Sequence, residues 1–183
     1  MRRIVFLLLA LGLAIAVVPA ASAIDAGPMR GSTVGRETGY NPDPAAVAAR
    51  CPVGYQWILS SESVIQFESD VYTGPLFATE DHCSRWLHAP KGPGYQVLPG
   101  KMGAGVQVMT TPGGDTLTLA TRGTFVLKGD LSIFSYRADV ASTFTIVDGT
   151  GVFEGASGHG ALNITDNVGV HTGQLVGSLA IDN

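Results

Sequence analysis

The chain is short of positive charge, of cysteine and of helical pattern, and each shortage excludes something. Eleven Lys and Arg stand against fifteen Asp and Glu, a formal net charge of −4. The basic residues Arg85, Lys91, Lys101, Arg122, Lys128 and Arg137 are scattered singly. Nucleic acid is therefore not an expected partner, because phosphate contacts need clustered Lys and Arg. No C-x-x-C occurs, and His82, His88, His159 and His171 lack the close spacing of a metal site. No metal or other cofactor is expected. There is no G-x-S-x-G elbow, and no lysine follows Lys128.

Arg2 and Arg3 precede an apolar run from Ile4 to Val18, followed by Pro19 and the small-residue triplet Ala21-Ser22-Ala23. Basic start, short apolar middle and A-x-A end are the three parts of a secretory signal peptide. The run is 15 residues long, short of the roughly 20 that span a bilayer as a helix. The expectation is cleavage after Ala23, giving a secreted or periplasmic protein with no membrane association afterwards. Losing two arginines and no acid from residues 1–23 moves the formal charge from −4 to −6. In an oxidising compartment the two cysteines, Cys51 and Cys83, most simply form one disulfide. Closing that loop stabilises the fold by roughly 3–4 kcal/mol in the chain-entropy account.

From Ile24 to Arg50 the chain is rich in Gly, Pro, Ala and small polar residues, with Tyr40 its one aromatic. That composition buries too little apolar surface to offset the entropy of ordering. Residues 24–50 are expected to form a flexible leader, in which Pro44 to Arg50 has the makings of a helical turn or two. The folded domain is expected over residues 51–183, the usual size of one domain.

Within that domain no amphipathic helix is found, but short alternating runs recur between glycine and proline breakers. Tyr55, Trp57 and Leu59 alternate with Gln56 and Ile58, and Ile65 and Phe67 with Gln66 and Glu68. L-F-A-T-E-D-H-C, G-V-Q-V-M-T, T-L-T-L and T-F-V-L-K-G-D follow, then Phe134, Tyr136, Ala138 and Val140 in alternation. Phe144 with Ile146, Leu162 with Ile164, and Leu175, Leu179 and Ile181 complete the set. About eight short strands without crossover helices require an antiparallel sheet. One apolar face per strand fits a closed barrel or a two-sheet sandwich. Closure removes exposed edges, so the expected fold is all-β, a single antiparallel eight-stranded β-barrel.

The stretch Asp148 to Leu162, D-G-T-G-V-F-E-G-A-S-G-H-G-A-L, holds five glycines in fifteen residues. Gly149, Gly151 and Gly155 miss the G-x-G-x-x-G spacing by one residue, and G-H-G-A-L-N-I-T continues like a strand instead of opening a helix. The run therefore reads as a barrel corner, its glycines allowing tight turns while Val152 and Phe153 fill space. S-T-F-T-I-V-D-G-T-G-V-F-E-G-A-S-G-H-G resembles the strand–G-T-G-x-F-x-G-A-x-G–strand signature of allene-oxide-cyclase-like and dirigent-like β-barrels, especially small exported bacterial members. G-D-T-L-T-L-A-T-R-G-T-F is similar to their upstream hairpin, and H-C-S-R-W to their early cysteine strand end. The resemblance covers roughly Tyr72 to Ile181. It implies an eight-stranded barrel whose interior can hold an apolar small molecule, and in plant relatives the guidance of cyclisation or coupling. Ser157-Gly158 stands where dirigents often carry arginine, so coupling chemistry is not carried over.

Chemistry in such a barrel needs a shaped cavity and one acid or base. Glu68 falls opposite Ile65 and Phe67 and is expected outside. Arg137 and Asp139 lie opposite Phe134 and Tyr136 and read as an exposed pair. Glu80 and His82 share one face with Leu76 and Ala78, while Phe77, Thr79, Asp81 and Cys83 share the other, and alternation alone does not choose between them. With the first face inward, Glu80 and His82 form the best acid/base pair in the chain. Tyr55, Trp57, Phe67, Phe125, Tyr136 and Phe144 fit an inward face, either lining a ligand or packing the core. Asn163-Ile164-Thr165 is formally a glycosylation sequon but falls on an expected strand. Three functions remain: a binder of a small apolar ligand, a cyclase or isomerase, and an interaction protein with a filled barrel. Homo-oligomer formation is compatible with each.

Overall fold

The structure, a computed structural model, describes residues 26–182; the expected signal peptide, residues 1–23, lies outside the described residues. Eight strands form one closed barrel in chain order: β1 Gly27–Asn41, β2 Trp57–Ser69, β3 Thr73–Trp86, β4 Gln96–Thr110, β5 Thr116–Asp130, β6 Ser135–Gly149, β7 Ala156–Asn167 and β8 Val170–Ile181. Every neighbouring pair is antiparallel, and β1 closes on β8 with Gly27 opposite Leu179. That last pairing leaves no sheet edge, so the barrel holds and the sandwich does not. The strands are longer than the sequence runs: T-L-T-L and T-F-V-L-K-G-D are both parts of β5.

The segment expected to be a flexible leader, residues 24–50, contains β1 and a short helix, α1 Pro44–Arg50. Composition reflects apolar side chains, whereas β1 is held by its backbone. β1 has a hydrogen-bonded neighbour on both sides, β2 and β8, so its amide groups are satisfied without a large apolar face. Its inward positions are small or modest, with Met29 and Thr33 buried. Asp43 caps α1, accepting from the Ala45 N–H at 3.1 Å, and Pro44 occupies the first turn.

Inside, the barrel is divided along its axis. At one end Met29, Phe67, Leu76, Met109, Leu117, Phe144, Ile146, Phe153 and Leu179 form a continuous apolar plug. The glycine-rich corner closes this end: a 3-10 turn at Gly151–Phe153 carries the Phe153 ring into the plug, fully buried, while Val152 stays largely exposed. Gly151 has φ 59°, and a Cβ there would fall 1.9 Å from the Asp115 carboxylate, so both backbone and space demand glycine. The stretch is a corner, as its pattern predicts. Both ends of the described chain also lie here, since β1 begins and β8 finishes in this layer.

Cys51 and Cys83 are bonded, 32 residues apart in the chain. Cys83 and its strand neighbour Ile58 face outward and are buried beneath α1, which contributes Val47. Arg50 Nη1 pairs with Asp81 at 3.0 Å on the same outer wall. The disulfide thus settles the choice of face on β3: with Cys83 outside, Glu80 and His82 point in.

Candidate functional site

Opposite the plug the barrel is open, with a cavity of about 430 Å³ that falls in the range of small-molecule pockets. Aromatic rings form one wall. Trp57 lies 5.0 Å from Trp86 and 6.4 Å from Phe125 between ring centroids, and Trp86 lies 5.2 Å from Phe125. Tyr40 stands at the rim, 6.2 Å from Trp57. Each ring comes from the mouth-side half of a different strand, because a 13- or 14-residue strand such as β2 or β3 runs from plug to mouth. Leu59, Met102, Leu127, Tyr136 and Val140 complete the apolar surface.

Polar groups gather at the cavity's floor and far wall. Glu80 and His82 are only 6% and 7% exposed. Glu80 Oε1 accepts from the Thr121 hydroxyl at 2.7 Å and sits 3.8 Å from His82 Nδ1, too far for a hydrogen bond. His82 Nδ1 has no partner among the described residues. Burial pushes the His82 imidazole below its ordinary value, outweighing the pull of Glu80 and Asp81 in the other direction. A bulge creates this arrangement. The β4 register slips between Met102 and Gly105, with Ala104 in the left-handed region at φ 47°. A Cβ on Gly105 would fall 2.0 Å from Thr121 Oγ1, so glycine makes room for the hydroxyl that holds Glu80.

Across the cavity, Glu37 on β1, Asp166 on β7, His171 on β8 and Tyr136 on β6 form a second group. The turn between β7 and β8 organises it: the Glu37 N–H donates to the Gly169 carbonyl at 2.8 Å, and the Gly169 N–H donates to Asp166 Oδ1 at 2.9 Å. Asp166 Oδ2 is buried and has no partner among the described residues. Burial, reinforced by Asp166, pushes Glu37 up to about 7. Burial also raises Asp166, against the Gly169 N–H bond and His171. Tyr136 is pushed up to about 12 by burial with Glu37 and Asp166 nearby, and burial lowers His171 despite Asp166 and Glu80. The turn itself is strained, with β-branched Val168 at φ 52°. Ala104, Phe134 and Val168, the non-glycine residues with positive φ among those described, all lie in the open half, where strain of this kind tends to mark working parts.

Of the residues the sequence singles out, the cavity brings together Glu80, His82, Trp57, Phe125 and Tyr136. Phe67 and Phe144 face inward but belong to the plug. Tyr55 does neither: it precedes β2 in a turn, and its ring packs outside the wall with the Arg85 guanidinium 5.9 Å from its centroid. Glu68 is exposed and paired with Arg30, and Arg137 and Asp139 form an exposed ion pair. Sequence reasoning missed Glu37, Asp166, His171 and Trp86. The alternations Leu162-Ile164-Asp166 and His171-Gly173-Leu175 carried the signal for two of them. Among the described residues no group of three or more His, Cys, Asp or Glu side chains is arranged to hold a metal ion. None of these residues belongs to a helix long and apolar enough to cross a membrane. Comparison of the chain with protein-family models, with curated proteins and with solved structures found no match.

Proposed function

We propose that this protein is an exported barrel that holds a small, largely apolar molecule in its open half. One observation carries the reading: the aromatic-walled cavity of about 430 Å³ in a barrel whose other half is densely filled. A filled interior, which would have favoured a purely interacting protein, is absent from that half. Apolar walls with a few convergent polar groups are the usual composition of a ligand site. Export is supported by the signal-like segment over residues 1–23 and by the disulfide, which persists in oxidising compartments. The allene-oxide-cyclase-like or dirigent-like relationship is part of this proposal and rests on the corner motif, the G-D-T-L-T-L-A-T-R-G-T-F hairpin and H-C-S-R-W.

Native mass spectrometry of protein recovered from an oxidising compartment of its host tests the reading. A retained mass beyond the polypeptide supports it. Ala138→Trp, which fills the cavity from β6, should abolish that mass; retention of the same ligand by this variant would place the ligand elsewhere.

A second reading is favoured by the inward Glu80 and His82: a cyclase or isomerase. A neutral His82 takes a proton on its unprotonated ring nitrogen from one carbon of the bound molecule and returns it to another, while Glu80, held by Thr121 and 3.8 Å from Nδ1, stabilises the transient imidazolium. The net change is an isomerisation and needs no co-reactant. Any turnover that survives Glu80→Gln and His82→Gln unchanged removes these roles.

A further inference from the structure

We propose that the molecule held in the open half is an organic amine, an ammonium group on an apolar body. The inference rests on the cavity being a small-molecule site, and it specifies the chemical class of the occupant. The carboxyls along the wall have no basic partner, and burial holds Glu37, at about 7, and Asp166 toward the protonated form until a cation lies beside them. Glu37, Glu80 and Asp166 line the cavity, and among the described residues no Lys or Arg does. The two histidines there, His82 and His171, are both held toward neutrality by burial.

A second, independent observation concerns unmet hydrogen bonding. Asp166 is 5% exposed and lines the cavity; Oδ1 takes the Gly169 N–H, but Oδ2 has no donor. A buried carboxylate oxygen without a donor is costly, so a ligand that brings hydrogen-bond donors completes the site. An ammonium supplies up to three donors and no acceptor, and its charge strengthens each bond to a carboxylate. A carboxylate-bearing ligand would meet like charge, and a wholly apolar one would leave Asp166 Oδ2 unsatisfied.

The third observation is the aromatic wall. Trp57, Trp86 and Phe125 line the cavity, packed tilted and edge-to-face on one another, and aromatic rings attract cations, tryptophan most strongly. Carboxyls on β1 and β7 and rings on β2, β3 and β5 line the same cavity. An amine with an apolar body satisfies both at once.

The test uses a matched series of phenylbutylamine, phenylbutanol and phenylbutyrate. Both tryptophans of the chain line the cavity, so tryptophan emission reads occupancy directly. The amine should bind at least about tenfold more tightly than the alcohol, and the acid more weakly than either. That preference should collapse in Asp166→Asn and in Glu37→Gln, each checked for folding by thermal unfolding. The exterior variant Glu68→Gln serves as the control that leaves it intact. An amine-to-alcohol ratio below tenfold, or a preference unchanged in both variants, overturns the amine assignment while leaving the cavity reading in place. If none of the three alters the emission, the cavity reading itself fails and takes this assignment with it.

Discussion

Glu37→Gln should make the ligand-free protein more stable at alkaline pH and leave it unchanged in acid. In the folded state the Glu37 carboxyl titrates at about 7 against an ordinary value of 4.5. The folded protein therefore holds this proton more tightly than the unfolded chain does. The stabilisation is full below the unfolded value near 4.5 and is lost as pH rises to about 7. At full strength a shift of that size corresponds to about 3.4 kcal/mol, at 1.36 kcal/mol for each tenfold change in proton affinity. Glu37 is only half-buried, and solvent screening reduces the figure to about 1.5 kcal/mol. The groups facing it are Asp166 on β7, His171 on β8, Tyr136 on β6 and, across the cavity, Glu80 and His82 on β3; all remain in the variant. Urea unfolding followed by tryptophan emission at pH values near 4 and near 8 should thus give a difference of about 1.5 kcal/mol at the higher pH and under about 0.5 kcal/mol at the lower. Thermal unfolding at the higher pH should shift upward by about 3–6 °C. Equal stabilisation at both pH values would assign the effect to packing, and no stabilisation at the higher pH would refute the electrostatic argument.

Three further outcomes are expected. Replacing Cys51 and Cys83 by serine opens a link between residues 32 apart and should lower stability by about 3–4 kcal/mol; a urea-unfolding loss under about 1 kcal/mol would contradict that account. Phe153→Ala, which empties a fully buried position in the plug, should cost about 3–5 kcal/mol, whereas Trp86→Ala at the cavity wall should cost less than half as much, a ranking that denaturant midpoints check. Val168→Asn relieves a β-branched residue at φ 52° ahead of Gly169 and creates the Asn-Gly pair favoured in two-residue hairpins, so it should stabilise by about 1 kcal/mol; a destabilised variant would mean the turn carries no strain there.

Alternation in the sequence tells which residues face inward, and it does so correctly for Trp57, Phe67, Phe125, Tyr136 and Phe144. It does not tell their height along the barrel axis. Trp57 and Phe67 lie on the same face of β2, yet one lines the cavity and the other fills the plug. Height follows from register, and register follows from turns and bulges such as the slip beside Ala104, which have no periodic signature. β1 was hidden for a different reason. Its stability comes from two hydrogen-bonded neighbours, one of them β8 at the far end of the chain, and a strand rich in glycine gives little apolar pattern of its own. Glu37 was hidden with it. The orientation of Glu80 and His82 became fixed only once Cys83 was placed under α1, a contact between segments the sequence presents separately. The glycine corner was legible because a tight turn leaves a local trace, in spacing and in residue type.

The pairing of Gly27 with Leu179 has a practical bearing on how the molecule can be held. Both ends of the described chain emerge from the base of the cup, on the far side from its mouth. A fusion partner, a surface anchor or a capture tag joined at either end grips the base and leaves the rim facing free solution. A sensor built on immobilised protein would present every cavity to its analyte, and the signal from Trp57 and Trp86 would be undisturbed by the attachment. Splitting the chain at the rim, at the Val168-Gly169 turn, and joining the old ends across the base would invert that polarity and hold the molecule by its lip.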